Sequence, residues 1–357
     1  MPLLGEKQAF VSSDLEPSSD NLSVPCTGCS CSGTCGKFIV CAAKKRPENY
    51  KRFEAVESAG SEVTFRCVDC RSCKKCKQGP KVEEISLQDE FENNLIEQCV
   101  NVDIECAKTM ARLPFLLDPI THLEPSNEHV ALKVFKSQVK MLNDHIDDKR
   151  SVLEFEKKLQ TAGYVDYFKN LSIDERDIIL KSPVKYFIPW RPVWKGDSVS
   201  TPCRLAFDAT MGTKGACSLN SLLAKGGSSL NNLQSIIIRW SSYPHAFHSD
   251  VQKMYNRVML DQAHWCYQLY LFSENLNLND QAEWKVIKTL IYGVRPSGSL
   301  AECALRRTFE LCRDQFPLAY RPITFDTYMD DCASGTEGPE ATRKVIDQLQ
   351  IAGSKGR

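Results

Sequence analysis

Two adjacent aspartates, Asp330 and Asp331, lie at the centre of Thr324 to Gly335 (TFDTYMDDCASG), flanked on each side by a short strand-like run. Such a stretch reads as a tight antiparallel hairpin with the acids at its tip and no base within the stretch to neutralise them. Two carboxylates a few ångströms apart cannot both ionise cheaply unless a proton or a cation screens them. Magnesium, which takes one or two carboxylates together with phosphate oxygens, is the natural partner. Alone, an Asp-Asp pair is most often a solvated turn, so the reading depends on what else converges on it. Ser249 to Tyr255 (SDVQKMY) supplies a third aspartate, Asp250, in a β-like run followed by an aromatic. Two-metal phosphoryl transfer needs carboxylates from separate segments around two cations roughly 4 Å apart. Asp250 and Asp330 can provide that pair.

The rest of the chain bounds the alternatives. A length of 357 residues with 42% apolar content suits two or three globular domains. Lys plus Arg and Asp plus Glu both number 45, so attraction of nucleic acid must come from local clusters of base rather than a global field. No apolar run is long enough to cross a bilayer, and the N-terminus lacks a basic region followed by an apolar one. The expectation is a cytoplasmic protein without membrane association, with residues 1–25 as a disordered lead or the tail of a preceding polyprotein segment.

Nine of the 17 cysteines fall between Cys26 and Cys76, a density that reads as metal binding before disulfides in a chain without a signal peptide. Cys26 and Cys29 open one group; Cys67, Cys70, Cys73 and Cys76 form a strict CxxCxxCxxC. Four thiolates, taken two from each of two knuckles, would complete a tetrahedral zinc site. An iron–sulfur cluster and a metal-free module are the alternatives. Residues 26–80 are therefore expected to form a small zinc-binding module, whose flanking lysines and arginines could meet phosphates.

From Lys81 to Lys181 apolar residues recur at helical steps, as in Leu132, Phe135, Val139 and Leu142 and again in Val152, Phe155 and Leu159. Residues 81–184 are expected to be a helical connector, with His122, His129 and His145 on its surface. After Pro183 the composition shifts to aromatic-rich strand-like runs at Tyr186–Trp190, Val193–Trp194, Arg204–Phe207, Ile236–Trp240 and His264–Phe272. Ser297–Cys312 and Gly338–Ile351 read as amphipathic helices. Residues 185–357 thus predict an α+β unit, an antiparallel sheet with helices on one face.

Several motifs in this half resemble, in type and order, those of reverse transcriptases, and among them the polymerases of Bel/Pao-type LTR retrotransposons. Arg204-Leu-Ala-Phe-Asp-Ala209 with Ser218-Leu-Asn220 is similar to the fingers segment, and Asp250 to Tyr255 to the first catalytic motif. Tyr292-Gly-Val-Arg-Pro-Ser297 resembles the glycine motif, and Tyr328 to Asp331 the YxDD box. Positions 296–298 read Pro-Ser-Gly, where related elements usually have Ser or Ala followed by Pro. The resemblance implies a fingers and palm region that stops before a thumb, acting on an RNA template, a DNA primer and deoxynucleoside triphosphates. It also implies companion polyprotein segments and virus-like particles in the cytoplasm. Under it, Asp250 and Asp330 hold two magnesium ions, with Asp331 just behind them. Arg204, Tyr255, Gly293 and Val251 surround the nucleotide, Tyr255 at the sugar 2′ position and Gly293 giving the backbone a close approach; Lys195 is a weaker triphosphate contact. The other reading is a catalytically inactive retroelement fragment that acts only as a nucleic-acid or zinc-binding module.

Overall fold

A computed structural model describes residues 53–57, 63–67, 87–194, 203–226 and 230–356. The chain divides into two compact units, one containing Asp14–Ser86 and the other Leu87–Arg357. In the smaller unit the described backbone is one antiparallel hairpin, β1 (Phe53–Glu57) with β2 (Val63–Cys67), in which Cys67 is paired with Phe53. Cys26, Cys29, Cys70, Cys73 and Cys76 lie outside the described residues, as does Lys195.

The larger unit is α+β, with several small sheets rather than one. Its first element is helix α1 (Leu87–Cys99), followed by the hairpin of β3 (Val100–Asp103) and β4 (Lys108–Ala111). The hairpin departs from the wholly helical connector expected over 81–184. Val100 and Val102 alternate with exposed residues, the two-residue period of a half-buried strand, and α1 packs its Ile96 into the same core. A short helix α2 (Pro119–His122) precedes α3 (Glu128–Asn143) and α4 (Ile146–Thr161). Phe135, Val139 and Leu142 are buried on α3 and Val152 on α4, in line with the spacing. His122, His129 and His145 are exposed.

The connector is built into the α+β region rather than standing apart from it. Strand β5 (Val165–Tyr167) joins a three-stranded antiparallel sheet with β10 (Leu269–Phe272) and β11 (Glu283–Ile287), in the order β10-β11-β5. Lys285 of β11, fully buried, bonds Glu156 of α4 and also Gln160 at 3.0 Å, while the Tyr270 hydroxyl reaches Glu156 at 3.1 Å. Helix α5 (Ile173–Lys181) begins with a capping box between Ser172 and Glu175, which satisfies two amides the first turn leaves unpaired. Next, β6 (Trp190–Trp194) and β7 (Cys203–Phe207) form a hairpin whose β7 alternates buried and exposed positions. A single-turn helix, α6 (Leu219–Leu222), comes after it.

Ile236–Trp240, expected as a strand, lies instead in helix α7 (Leu233–Ser242). Its isoleucines favour strands, but Asn232 caps the first turn by accepting from Ser235 N–H at 2.9 Å, and only Ile236 of the run is fully buried. Local capping and one-sided burial outweigh a weak propensity. Similarly, only the end of His264–Phe272 is a strand: Gln262–Tyr267 is a 3₁₀ helix capped by Asp261, and β10 begins at Leu269. Strand β8 (His245–Asp250), β12 (Thr327–Tyr328) and β13 (Asp331–Thr336) form a second antiparallel sheet, in the order β12-β13-β8. The short β9 (Met259–Leu260) runs parallel to β4 and ties the early hairpin to the chain beyond Asp250. Helices α8 (Ser297–Leu311), α9 (Pro317–Phe325) and α10 (Pro339–Ser354) supply Phe309, Ile323, Val345 and Leu349 to a core completed by Phe247 of β8 and Cys332 of β13. Among the described residues no helix is long and apolar enough to cross a membrane.

Candidate active site

The acidic residues meet at one end of the β12-β13-β8 sheet. Tyr328 pairs with Asp331 across a two-residue loop of Met329 and Asp330, as the hairpin reading requires. Met329 has φ +57, the left-handed region that favours glycine, so this turn carries backbone strain at an exposed methionine. The loop closes onto the neighbouring strand through Val251 N–H, which donates to Asp330 O at 2.7 Å. In the β13–β8 register Asp331 is directly opposite Asp250. Facing residues on adjacent strands project to the same face of the sheet, and both aspartates are exposed. Asp250 and Asp331 are thereby brought opposite each other at one sheet end, with Asp330 in the adjoining turn.

Thr324–Gly335 contains no basic side chain, but the neighbouring strand brings an imidazole to Asp331. His248, two residues before Asp250, places Nε2 3.1 Å from Asp331 Oδ1. The underside of the turn is pinned more firmly. Asp326, fully buried, accepts from Arg239 Nε at 2.8 Å and from Ser334 Oγ at 2.7 Å. Asn231 donates to Thr324 O at 3.0 Å and to Thr327 O at 2.8 Å. These bonds join α7 and the segment before it to the strand that enters the turn. A buried ion pair of this kind fixes geometry because losing one partner strands the other charge.

Two tyrosine rings pack against each other in a tilted arrangement, 41° between their planes. Tyr255 and Tyr292 have ring centroids 4.2 Å apart. Burial raises the hydroxyl pKa of both, with Asp330 adding to the effect at each ring and Asp250 at Tyr292, where Arg204 opposes it. One ring thus lies in the fields of Arg204, Asp250 and Asp330 together. Tyr255, the aromatic expected at the sugar, is only 9% exposed and belongs to the core with Val251, Met254 and Leu300, whereas Tyr292 is 52% exposed. Tyr292 has no role of its own in the motif reading; a large aromatic placed directly before a glycine is the signal the sequence carries for it.

Gly293 has φ +100, and a Cβ there would lie 1.9 Å from the Phe207 carbonyl oxygen. Glycine is thus required by the close approach of β7's last residue, a reason independent of any nucleotide. Val251 has a buried side chain and reaches the site only through its backbone bond to Asp330. Arg204 is exposed on β7 opposite Val193. The Pro296-Ser-Gly298 run opens α8 with Pro296 as N-cap and no side-chain cap bond, while Ser297 N–H donates to Val294 O at 3.1 Å.

Asp250 and Asp331, exposed and directly opposite each other, offer carboxylate oxygens of the kind that suits a hard cation. Among the described residues no group of three or more His, Cys, Asp or Glu side chains is arranged to hold a metal ion. Magnesium characteristically uses only one or two protein carboxylates, with phosphates and water completing its octahedron, so a two-carboxylate contribution fits it. No family model matches the chain, and no curated protein matches it.

Proposed function

We propose that this chain is an RNA-directed DNA polymerase of the Bel/Pao retrotransposon type, extending a DNA primer on an RNA or DNA template. The observation that carries the reading is the cross-strand pairing of Asp250 with Asp331, next to the β12–β13 turn in which Asp330 accepts the Val251 N–H at its carbonyl oxygen. Order of motifs along the chain adds to it: the Arg204 strand, the Asp250 strand, the Gly293 turn and the acidic hairpin come in the sequence such polymerases use. Asp250 and Asp330 would hold magnesium, with Asp331, engaged by His248, as a neighbouring acid. Bound there with substrate phosphates, the two ions would stabilise the attacking 3′ oxygen and the departing pyrophosphate. Arg204 offers a guanidinium to the triphosphate, and the exposed face of Tyr292 offers a stacking surface to base or sugar. Template RNA, primer, deoxynucleoside triphosphates and the other segments of a retroelement polyprotein are the partners this function requires.

Incorporation of labelled dTTP on a poly(rA) template primed with oligo(dT), with magnesium present and then chelated, tests the reading. Magnesium-dependent incorporation by the purified chain is expected. Incorporation that survives chelation, or none above that of a heat-inactivated sample, would refute it.

A further inference from the structure

The Tyr292–Arg295 turn is held from one side by a single side chain. Asn220 donates from Nδ2 to Gly293 O at 2.9 Å and accepts at Oδ1 from Arg295 N–H at 2.8 Å. Its own backbone N–H donates to Ala209 O at 3.1 Å, and the Arg295 guanidinium returns to Asn220 O at 3.4 Å. From the other side Phe207 O presses against Gly293 so closely that no Cβ fits between them. The turn is therefore clamped between the end of β7 and one carboxamide.

Only a side chain with a donor and an acceptor on one planar group makes both bonds at once. Aspartate keeps the acceptor and loses the donor, alanine loses both, and glutamine shifts the group by a methylene. What the clamp presents is Tyr292, half exposed and tilted against the buried Tyr255 with ring centroids 4.2 Å apart. An exposed aromatic backed by a buried one is a fixed face for a nucleobase or a sugar. Its orientation depends on the two bonds made by Gly293 and Arg295, just after it in the chain.

We infer that Asn220 is a positioning residue of the nucleotide pocket: its carboxamide fixes the Tyr292–Arg295 turn, and through it the ring that meets the incoming nucleotide. This inference rests on the polymerase function proposed for the acidic site. Asn220 touches no substrate itself; it acts through Gly293 and Arg295. Loss of the clamp weakens nucleotide binding more than it slows the chemical step, because the acidic residues belong to a different sheet and keep their own supports.

The test uses the full chain with Asn220→Ala and Asn220→Asp, read by hydrogen exchange at the Arg295 amide and by primer extension with dTTP varied. In Asn220→Ala the Arg295 amide is expected to lose protection, and KM for dTTP to rise about tenfold while kcat changes less than about threefold. Asn220→Asp retains the acceptor for Arg295 N–H, so it should keep most of that protection and show a smaller rise in KM. Unchanged exchange in Asn220→Ala overturns the clamp. Loosened exchange with unaltered KM, or kcat falling alone, overturns its role in nucleotide positioning. A parent chain that incorporates no dTTP refutes the polymerase reading and the nucleotide role with it, while exchange at Arg295 still reports whether the clamp exists, so the two failures are distinguishable.

Discussion

At the scale of single residues, the two packed tyrosines differ in burial, and the proposed function gives them different parts. Tyr255 is a core residue under a half-exposed Tyr292, so replacing each should give different consequences. Tyr255→Val removes buried ring atoms and is expected to cost about 3 kcal/mol of stability. Tyr292→Val should cost about 1 kcal/mol or less while narrowing the preference for deoxynucleotides over ribonucleotides. Urea melts and paired kinetics with both nucleotide classes check this; a stable Tyr255→Val variant with lost sugar selectivity would place Tyr255, not Tyr292, at the sugar. Gly293→Ala must place a methyl against Phe207 O at a positive φ, and at least about 2 kcal/mol of destabilisation is expected in the same melts. His264 offers a pH signature. Burial lowers its pKa, against the opposing pull of Asp261, and its Nδ1 accepts the Leu113 N–H at 2.9 Å. The unfolded chain therefore binds a proton more readily than the folded one. Its contribution to stability is complete above the ordinary histidine pKa of about 6.5 and falls as pH drops below that value. Denaturation midpoints between pH 7.5 and 5.5 should fall less steeply for His264→Asn than for the parent; equal slopes would show that His264 is not the group responsible.

Elements built on local rules are legible in the sequence, and those decided by distant partners are not. Phe135, Val139 and Leu142 announce α3 by spacing alone, and alternation through Arg204–Phe207 announces β7. The acidic hairpin is legible too, since two turn residues between strand-like runs leave little choice of geometry. Helix α7 reads wrongly as a strand because three consecutive isoleucines weigh that way, although the Asn232 cap stands just before them. The His248–Asp331 contact and the Arg239–Asp326 pair join residues 83 and 87 positions apart, and no local pattern encodes such meetings. The second of these is expected to matter most for the shape of the acidic turn. Arg239→Ala takes away the guanidinium bonded to the buried Asp326 carboxylate, which keeps the Ser334 hydroxyl bond, and a loss of about 3 kcal/mol is expected. Chemical denaturation of that variant measures it, and a loss below about 1 kcal/mol would show that the pair does not hold the turn.

At the scale of the whole molecule, the two groups of candidate site residues fall in different units. The cysteines from Cys26 to Cys76 belong to the unit of Asp14–Ser86, and the acidic site to that of Leu87–Arg357. Zinc is expected in the first at about one ion or more per chain, with its removal by chelator unfolding that unit, because binding energy is folding energy in so small a module. Elemental analysis of protein purified without added metal decides it, and oxidised thiols with no zinc would point to disulfides instead. Under the proposed function, nucleotide transfer depends on Asp250 and Asp330 of the second unit. Single-turnover primer extension on an RNA template, run for the parent and for Asp250→Asn, Asp330→Asn and Asp331→Asn at matched folding stability, tests it most directly. Asp250→Asn and Asp330→Asn should each lose at least about a hundredfold in rate, equivalent to roughly 3 kcal/mol of transition-state stabilisation, with Asp331→Asn losing less. Extension by Asp250→Asn and Asp330→Asn at the parent's rate would contradict the assignment of this acidic sheet end as the catalytic site.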